Sequence, residues 1–117
     1  MVLAFHGAFS SGVVMRADLG IEAPAVTPTI FVYPDAVRGT WDVGPRSLDG
    51  RLVETLLGRL AETYCIDPAR ISIAGFSAGA VFTLWLGCNV PDSFHAMAVV
   101  AGTSSRFDGR CCKRTIS

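Results

Sequence analysis

A serine flanked by glycines, Gly75-Phe76-Ser77-Ala78-Gly79, is the stretch of this sequence best suited to chemistry. It follows a β-prone run, Ile71-Ser72-Ile73-Ala74, and leads directly into apolar residues of helical character. A serine on so sharp a strand-to-helix turn is the sequence form of a nucleophile elbow. The chemistry it suits is acyl transfer. The hydroxyl attacks a carbonyl carbon, and the amides at the start of the next helix face the developing oxyanion. A strained backbone at Ser77 needs neighbours without bulk, which Gly75 and Gly79 supply. The bland alternative is an ordinary strand–turn–helix junction, since a bare G-x-S-x-G often arises by chance.

A second group lies near the start of the chain, at His6-Gly7-Ala8-Phe9. Where a serine elbow is used, the loop after an earlier strand supplies one oxyanion N–H and the residue after the serine supplies the other. Here these are the backbone amides of Ala8, with Phe9 as the fallback, and of Ala78. His6 is expected to be structural, filling a hydrogen-bond slot at the strand end. Trp41 sits in a polar, glycine-bearing loop with Arg38 and Asp42. It is either a lid over the core or part of a substrate wall. The wall is favoured, because ligands of open α/β sheets bind at the carboxyl ends of the strands.

Strands are predicted at Val2–Phe5, Thr29–Tyr33, Ile71–Gly75 and Ala96–Val100 to position these groups. A short helix is weaker between Val13 and Ile21, because Gly20 and two prolines follow closely. The clearest helix is Leu48–Tyr64, where Leu52, Val53, Leu56, Leu57, Leu60 and Ala61 form one apolar stripe. Ser47 or Asp49 is its cap, and Asp49, Arg51, Glu54, Arg59 and Glu62 read as a solvated face. The helix after Ser77 is apolar nearly all round, which implies cover on several sides. Strand, loop and helix in alternation predict an α/β fold, a four-stranded parallel sheet with helices packed on it. Crossover handedness puts the two long helices on one face. Both run against the strands, so Cys65 and Cys88 fall at the same lower edge, either as a disulfide or as two buried thiols.

The chain has 117 residues, half of them apolar and 17% charged, with a mean hydropathy of +0.44. That length suits one small domain, residues 1–117, without internal repeats. The hydropathy is high for a small soluble domain and suggests a membrane protein or the core of something larger. No run approaches the roughly 18 uncharged apolar residues of a spanning helix, which favours the core. Ten basic and ten acidic side chains balance, and no basic stripe points to nucleic acid or an anionic membrane. The four cysteines lack zinc-site spacing, and no metal or cofactor is expected. Met1 leads straight into a buried strand, so no signal peptide is expected either.

The run Phe31-Val32-Tyr33-Pro34-Asp35, then Gly39-Thr40-Trp41, then Tyr64-Cys65-Ile66-Asp67-Pro68-Ala69-Arg70-Ile71, then the serine motif, agrees with one family in order and spacing. It resembles the secreted esterases grouped as polyhydroxybutyrate depolymerase-like and feruloyl esterase-like α/β-hydrolases. Leu86-Gly87-Cys88 and Val100-Ala101-Gly102 are similar to that family too. The resemblance implies an acyl-enzyme at Ser77 acting on a small or polymeric carboxylic ester. It also implies four central neighbouring strands, with Thr29–Tyr33 outside Val2–Phe5, and export from the cell, which suits a Cys65–Cys88 bridge. Cys111 and Cys112 receive no role.

In that family an acid and then a histidine follow the serine. This sequence stops before either, so an incomplete α/β-hydrolase domain is expected, weakly active or inactive. His95, the only later histidine, lies too close to the serine in sequence to reach over the elbow and is read as structural. Asp92 and Asp108 are read as loop and turn residues. The alternative is a non-catalytic pseudo-hydrolase that keeps the elbow as architecture and binds a ligand or partner. A nucleotide-binding domain is disfavoured, since neither a P-loop lysine nor a G-x-G-x-x-G is present.

Overall fold

The computed structural model describes residues 1–102. Asp108, Cys111 and Cys112 lie outside the described residues. The elements in chain order are β1 (Val2–Phe5), α1 (Gly12–Leu19), β2 (Phe31–Val32), α2 (Leu48–Thr63), β3 (Ser72–Phe76), α3 (Ala78–Asn89) and β4 (Ala96–Val100). The strands form one four-stranded sheet in the order β2-β1-β3-β4, and every pairing is parallel. β2 keeps only the middle of the predicted Thr29–Tyr33 run.

Alternation along the strands sorts the two faces. Leu3, Phe5 and Ile73 join Val53 of α2 and Phe82 and Leu86 of α3 in the main core. Ala4 and Ala74 point the other way, toward α1, whose Met15 lines a cleft with Ala74 and Ala98. Right-handed crossovers explain the division. The chain leaves β1 toward β2 on one side, and leaves β3 toward β4 on the other, so α1 and α3 must cover opposite faces. β1 and β3 are nonetheless neighbours. The connections that follow them diverge and open a crevice at this topological switch point, where α/β sheets place their sites.

Two glycines bring α3 against the sheet. A Cβ on Gly75 would overlap the Gly79 carbonyl and crowd Thr83 Oγ1, and one on Gly79 would overlap the Phe5 carbonyl. The helix is half to fully buried along most of its length, and Phe82, Thr83 and Leu86 are fully buried. Its other flank meets α2, where Gly50 leaves room for the Trp85 ring. No helix among the described residues is long and apolar enough to cross a membrane.

The Cys65–Cys88 pairing does not form. Cys65 is an exposed free thiol, whereas Cys88 is disulfide-bonded. Both residues reach the lower edge, but at different places along it. Cys65 lines a cleft with Met1 and Thr29 beside β1 and the entry to β2. The end of α3 lies over β4, where Gly87 meets Met97. Strands stand about 4.8 Å apart, and a bridge spans Cα atoms no more than about 7 Å apart.

Candidate active site

Ser77 occupies the single residue between β3 and α3, with φ 54° and ψ −115°. A β-carbon at that backbone setting costs on the order of 1–3 kcal/mol. The turn is held from both sides: the Ser77 amide donates to the Val100 carbonyl at 2.9 Å, and its carbonyl accepts from Ala80 and Val81 at 3.0 and 3.2 Å. The side chain does not cap α3. Among the described residues nothing hydrogen-bonds the Ser77 hydroxyl, which is part of a half-exposed residue.

The loop after β1 comes directly alongside. A Cβ built on Gly7 would stand 3.7 Å from Ser77 Cβ, so the two connections touch. Ser77, Gly7 and Ala8 share a cleft of about 550 Å³ with Met15 and Leu19 of α1 and with Phe76 and Val100. Ala78 does not line it; its methyl group packs against the core, and its amide opens α3. No hydrogen bond among the described residues engages the Ala8 or Ala78 amide. The Phe9 amide donates to the Gly39 carbonyl at 2.6 Å. It is already committed, so the fallback drops out and Ala8 remains.

His6 is 1% exposed, and both its nitrogens are engaged. Nε2 accepts from the Ala36 amide at 3.1 Å. The proton is therefore assigned to Nδ1, which donates to the Gly7 carbonyl at 2.6 Å. His95 is exposed at the opposite edge of the sheet, where its amide donates to the Ile71 carbonyl at 2.7 Å. It precedes β4, whereas Ser77 pairs with the last residue of that strand. The two are separated by about 15 Å at strand rise. Neither described histidine stands ready to take a proton from Ser77. No group of three or more metal-ligating side chains occurs among the described residues.

Trp41 is not a substrate wall. It is 6% exposed, stacked on Phe82 with ring centroids 4.8 Å apart and edge-on to Phe5 at 5.1 Å. Its Nε1 donates to the His6 carbonyl at 2.7 Å. The polar end of an indole needs a partner when buried, and the nearby strand end offers one. The loop therefore folds inward over the aromatic core instead of outward over the cleft.

Asp49, expected on a solvated face or as a cap, is neither. It is 1% exposed, and its two oxygens accept from the amides of Val37 at 2.8 Å and Asp42 at 2.7 Å. Ser47 is the cap, accepting from the Gly50 amide at 2.8 Å. The signal for Asp49 was adjacent Gly50, a small residue where α2 passes close to something. An acid in a helix's first turn is favourable even when nothing folds over it, so position alone could not reveal the burial.

The Esterase family model matches residues 31–109, which span β2 to β4 and the serine turn. The chain belongs to the Esterase family. It is 30% identical over 93 residues to feruloyl esterase B of Piromyces equi, covering 72% of this chain and 17% of that protein. To poly(3-hydroxyalkanoate) depolymerase C of Paucimonas lemoignei it is 26% identical over 114 residues, covering 87% of this chain and 27% of the relative. Among solved structures, an acetyl xylan esterase from Aspergillus awamori superposes with a TM-score of 0.66 at 18% identity, covering 92% of this chain and 45% of that one. These establish an esterase-like α/β-hydrolase fold, of which the chain spans well under half the length of the relatives.

Proposed function

We propose that this chain carries the nucleophile and the oxyanion-binding amides of a carboxylic ester hydrolase. Ser77 Oγ attacks the ester carbonyl, the carbonyl electrons move onto oxygen, and the N–H groups of Ala8 and Ala78 receive that oxyanion. Collapse expels the alcohol and leaves an acyl group on Ser77, which water then removes. Each well-placed amide contributes about 3 kcal/mol to the transition state. The observation that carries the reading is the backbone of Ser77, φ 54° and ψ −115°, at a switch point beside an uncommitted Ala8 amide. Strain of this kind collects at functional sites, which supports the reading.

The base and its acid come, in this reading, from outside the described residues, in the order the fold uses. Residues 1–102 then form one part of a single α/β-hydrolase domain. Likeness to the feruloyl esterase and the depolymerase supports a small or polymeric ester as substrate. The oxidised state of Cys88 supports an extracellular place of action. One observation favours the second reading, a non-catalytic binding module: both described histidines are occupied or remote.

The test needs no built-in base. A fluorophosphonate at alkaline pH, where hydroxide can take the serine proton, should label Ser77 at least tenfold faster than any other serine of the 117-residue chain. Peptide mass spectrometry locates the adduct. Even labelling across the serines would remove the nucleophile, and the binding module would stand.

A further inference from the structure

One segment touches both the oxyanion loop and a buried carboxylate. Residues 36–42 meet the His6–Phe9 loop at three points. The Ala36 amide donates to His6 Nε2 at 3.1 Å, Trp41 Nε1 donates to the His6 carbonyl at 2.7 Å, and the Gly39 carbonyl accepts from the Phe9 amide at 2.6 Å. His6 Nδ1 closes onto the Gly7 carbonyl. The peptide units on both sides of Ala8 are thus fixed, while the Ala8 amide itself stays uncommitted. On its other side the same segment is held by Asp49, whose oxygens accept from Val37 and Asp42.

We propose that Asp49 is a positioning residue for the Ala8 amide, acting through the 36–42 segment and Trp41. The proposal rests on Ala8 being an oxyanion donor. A buried carboxylate loses its hydration and is retained only if its oxygens are satisfied. Asp49 is satisfied by two loop amides and favoured by the α2 N-terminus. Its two oxygens fix two points of one segment five residues apart, which a single neutral acceptor cannot do. Positioning matters because an oxyanion donor works only when it is already aimed at the oxygen of the transition state.

The experiment uses the 117-residue chain, Asp49→Asn and Trp41→Phe. Asparagine keeps the shape but turns an NH₂ toward one of the two amides. Phenylalanine keeps an aromatic ring against Phe82, though a smaller one than the indole, and removes the donor to the His6 carbonyl. Two quantities are read: the backbone order parameter of the Ala8 amide by ¹⁵N relaxation, and the saturation kinetics of fluorophosphonate labelling at Ser77. In both variants the Ala8 order parameter should fall from about 0.85 to below about 0.6 while Ala78 stays near its parent value. The limiting labelling rate should fall about tenfold with half-saturation moving less than twofold. A general loosening would shift Ala78 and half-saturation as well, and would overturn the proposal. So would an Ala8 amide that remains ordered in both variants. If the parent chain shows no preference for Ser77, the nucleophile reading fails by itself, and the order parameters still decide whether Asp49 holds the loop.

Discussion

Helices α2 and α3 both begin after a serine, and the two serines do opposite things. Ser47 has φ −50° and turns its hydroxyl onto the Gly50 amide. Ser77 has φ 54° and leaves α3 without a side-chain cap. The first turn of α2 also holds an acid, Asp49, whereas that of α3 holds none. The cause lies upstream. A loop delivers the chain to α2 with room to curl, so the serine settles into a cap. A strand delivers it to α3 against the same sheet, with a single residue to make the reversal. Capping satisfies the helix; the sharp reversal withholds that satisfaction and leaves the Ser77 hydroxyl and the Ala78 amide without a hydrogen-bond partner among the described residues. A serine before a helix is therefore an ambiguous sign, and the packing of its neighbours resolves it.

The comparison breaks most visibly at the glycines that force the sharp turn. Gly75→Ala would drive a methyl group into the Gly79 carbonyl and Thr83 Oγ1, and neither can yield without moving α3 off the sheet. The expected loss is about 3 kcal/mol or more, read by urea unfolding. Gly58, in the middle of α2, has open space around its Cβ position, so Gly58→Ala should instead gain up to about 1 kcal/mol. Equal stabilities for the two variants would mean that β3 and α3 do not need the close approach.

The serines themselves give a smaller effect of opposite sign. Ser47→Ala removes the α2 cap and should cost about 1 kcal/mol. Ser77→Gly relieves the positive φ and should add about 1 kcal/mol, despite deleting the proposed nucleophile. For a domain near this size each change moves the Tm by roughly 5 °C, downward for Ser47 and upward for Ser77. Two downward shifts would show that Ser77 stabilises the fold as a cap does, and the contrast would collapse.

Much of this was legible from local signals. Ala96–Val100 was placed residue for residue, because a β-prone run there is bounded by polar and glycine residues. The stripe from Leu48 gave α2, and Gly75 and Gly79 gave the turn. What failed depended on long-range geometry. Trp41 was favoured as a cleft wall over a lid on the core because its loop follows the carboxyl end of a strand, but its ring is satisfied by Phe5, Phe82 and the His6 carbonyl, all distant in sequence. Asp49 looked solvated because helical periodicity counts only its own helix, not the 36–42 segment that folds across it. Cys65 and Cys88 were placed at the correct edge without a measure of their lateral separation. β2 was expected to be five residues long, and only Phe31 and Val32 pair with β1.

The smallest effect concerns the carboxylate of Asp42, which serves the capped end alone. Its carboxylate accepts from the Gly44 amide at 2.9 Å and from Leu48, the first residue of α2, at 3.1 Å. These amide bonds, Gly44 first and Leu48 second, hold its pKa below the ordinary carboxylate value, with Arg38 adding a little. Folding therefore favours the ionised form. The stabilisation is complete above the unfolded pKa of about 3.9 and is lost as pH falls through the lower folded value. Asp42 is exposed, so water screens the gain and only a degree or two of Tm is at stake. Asp42→Asn should melt below the parent at pH 6, and the gap should close as both approach pH 2.5. No such term exists at α3, where no acid stands in the first turn. A gap of constant size across that range would show that Asp42 acts through shape, leaving Ser47 to account for the difference between the two helix starts.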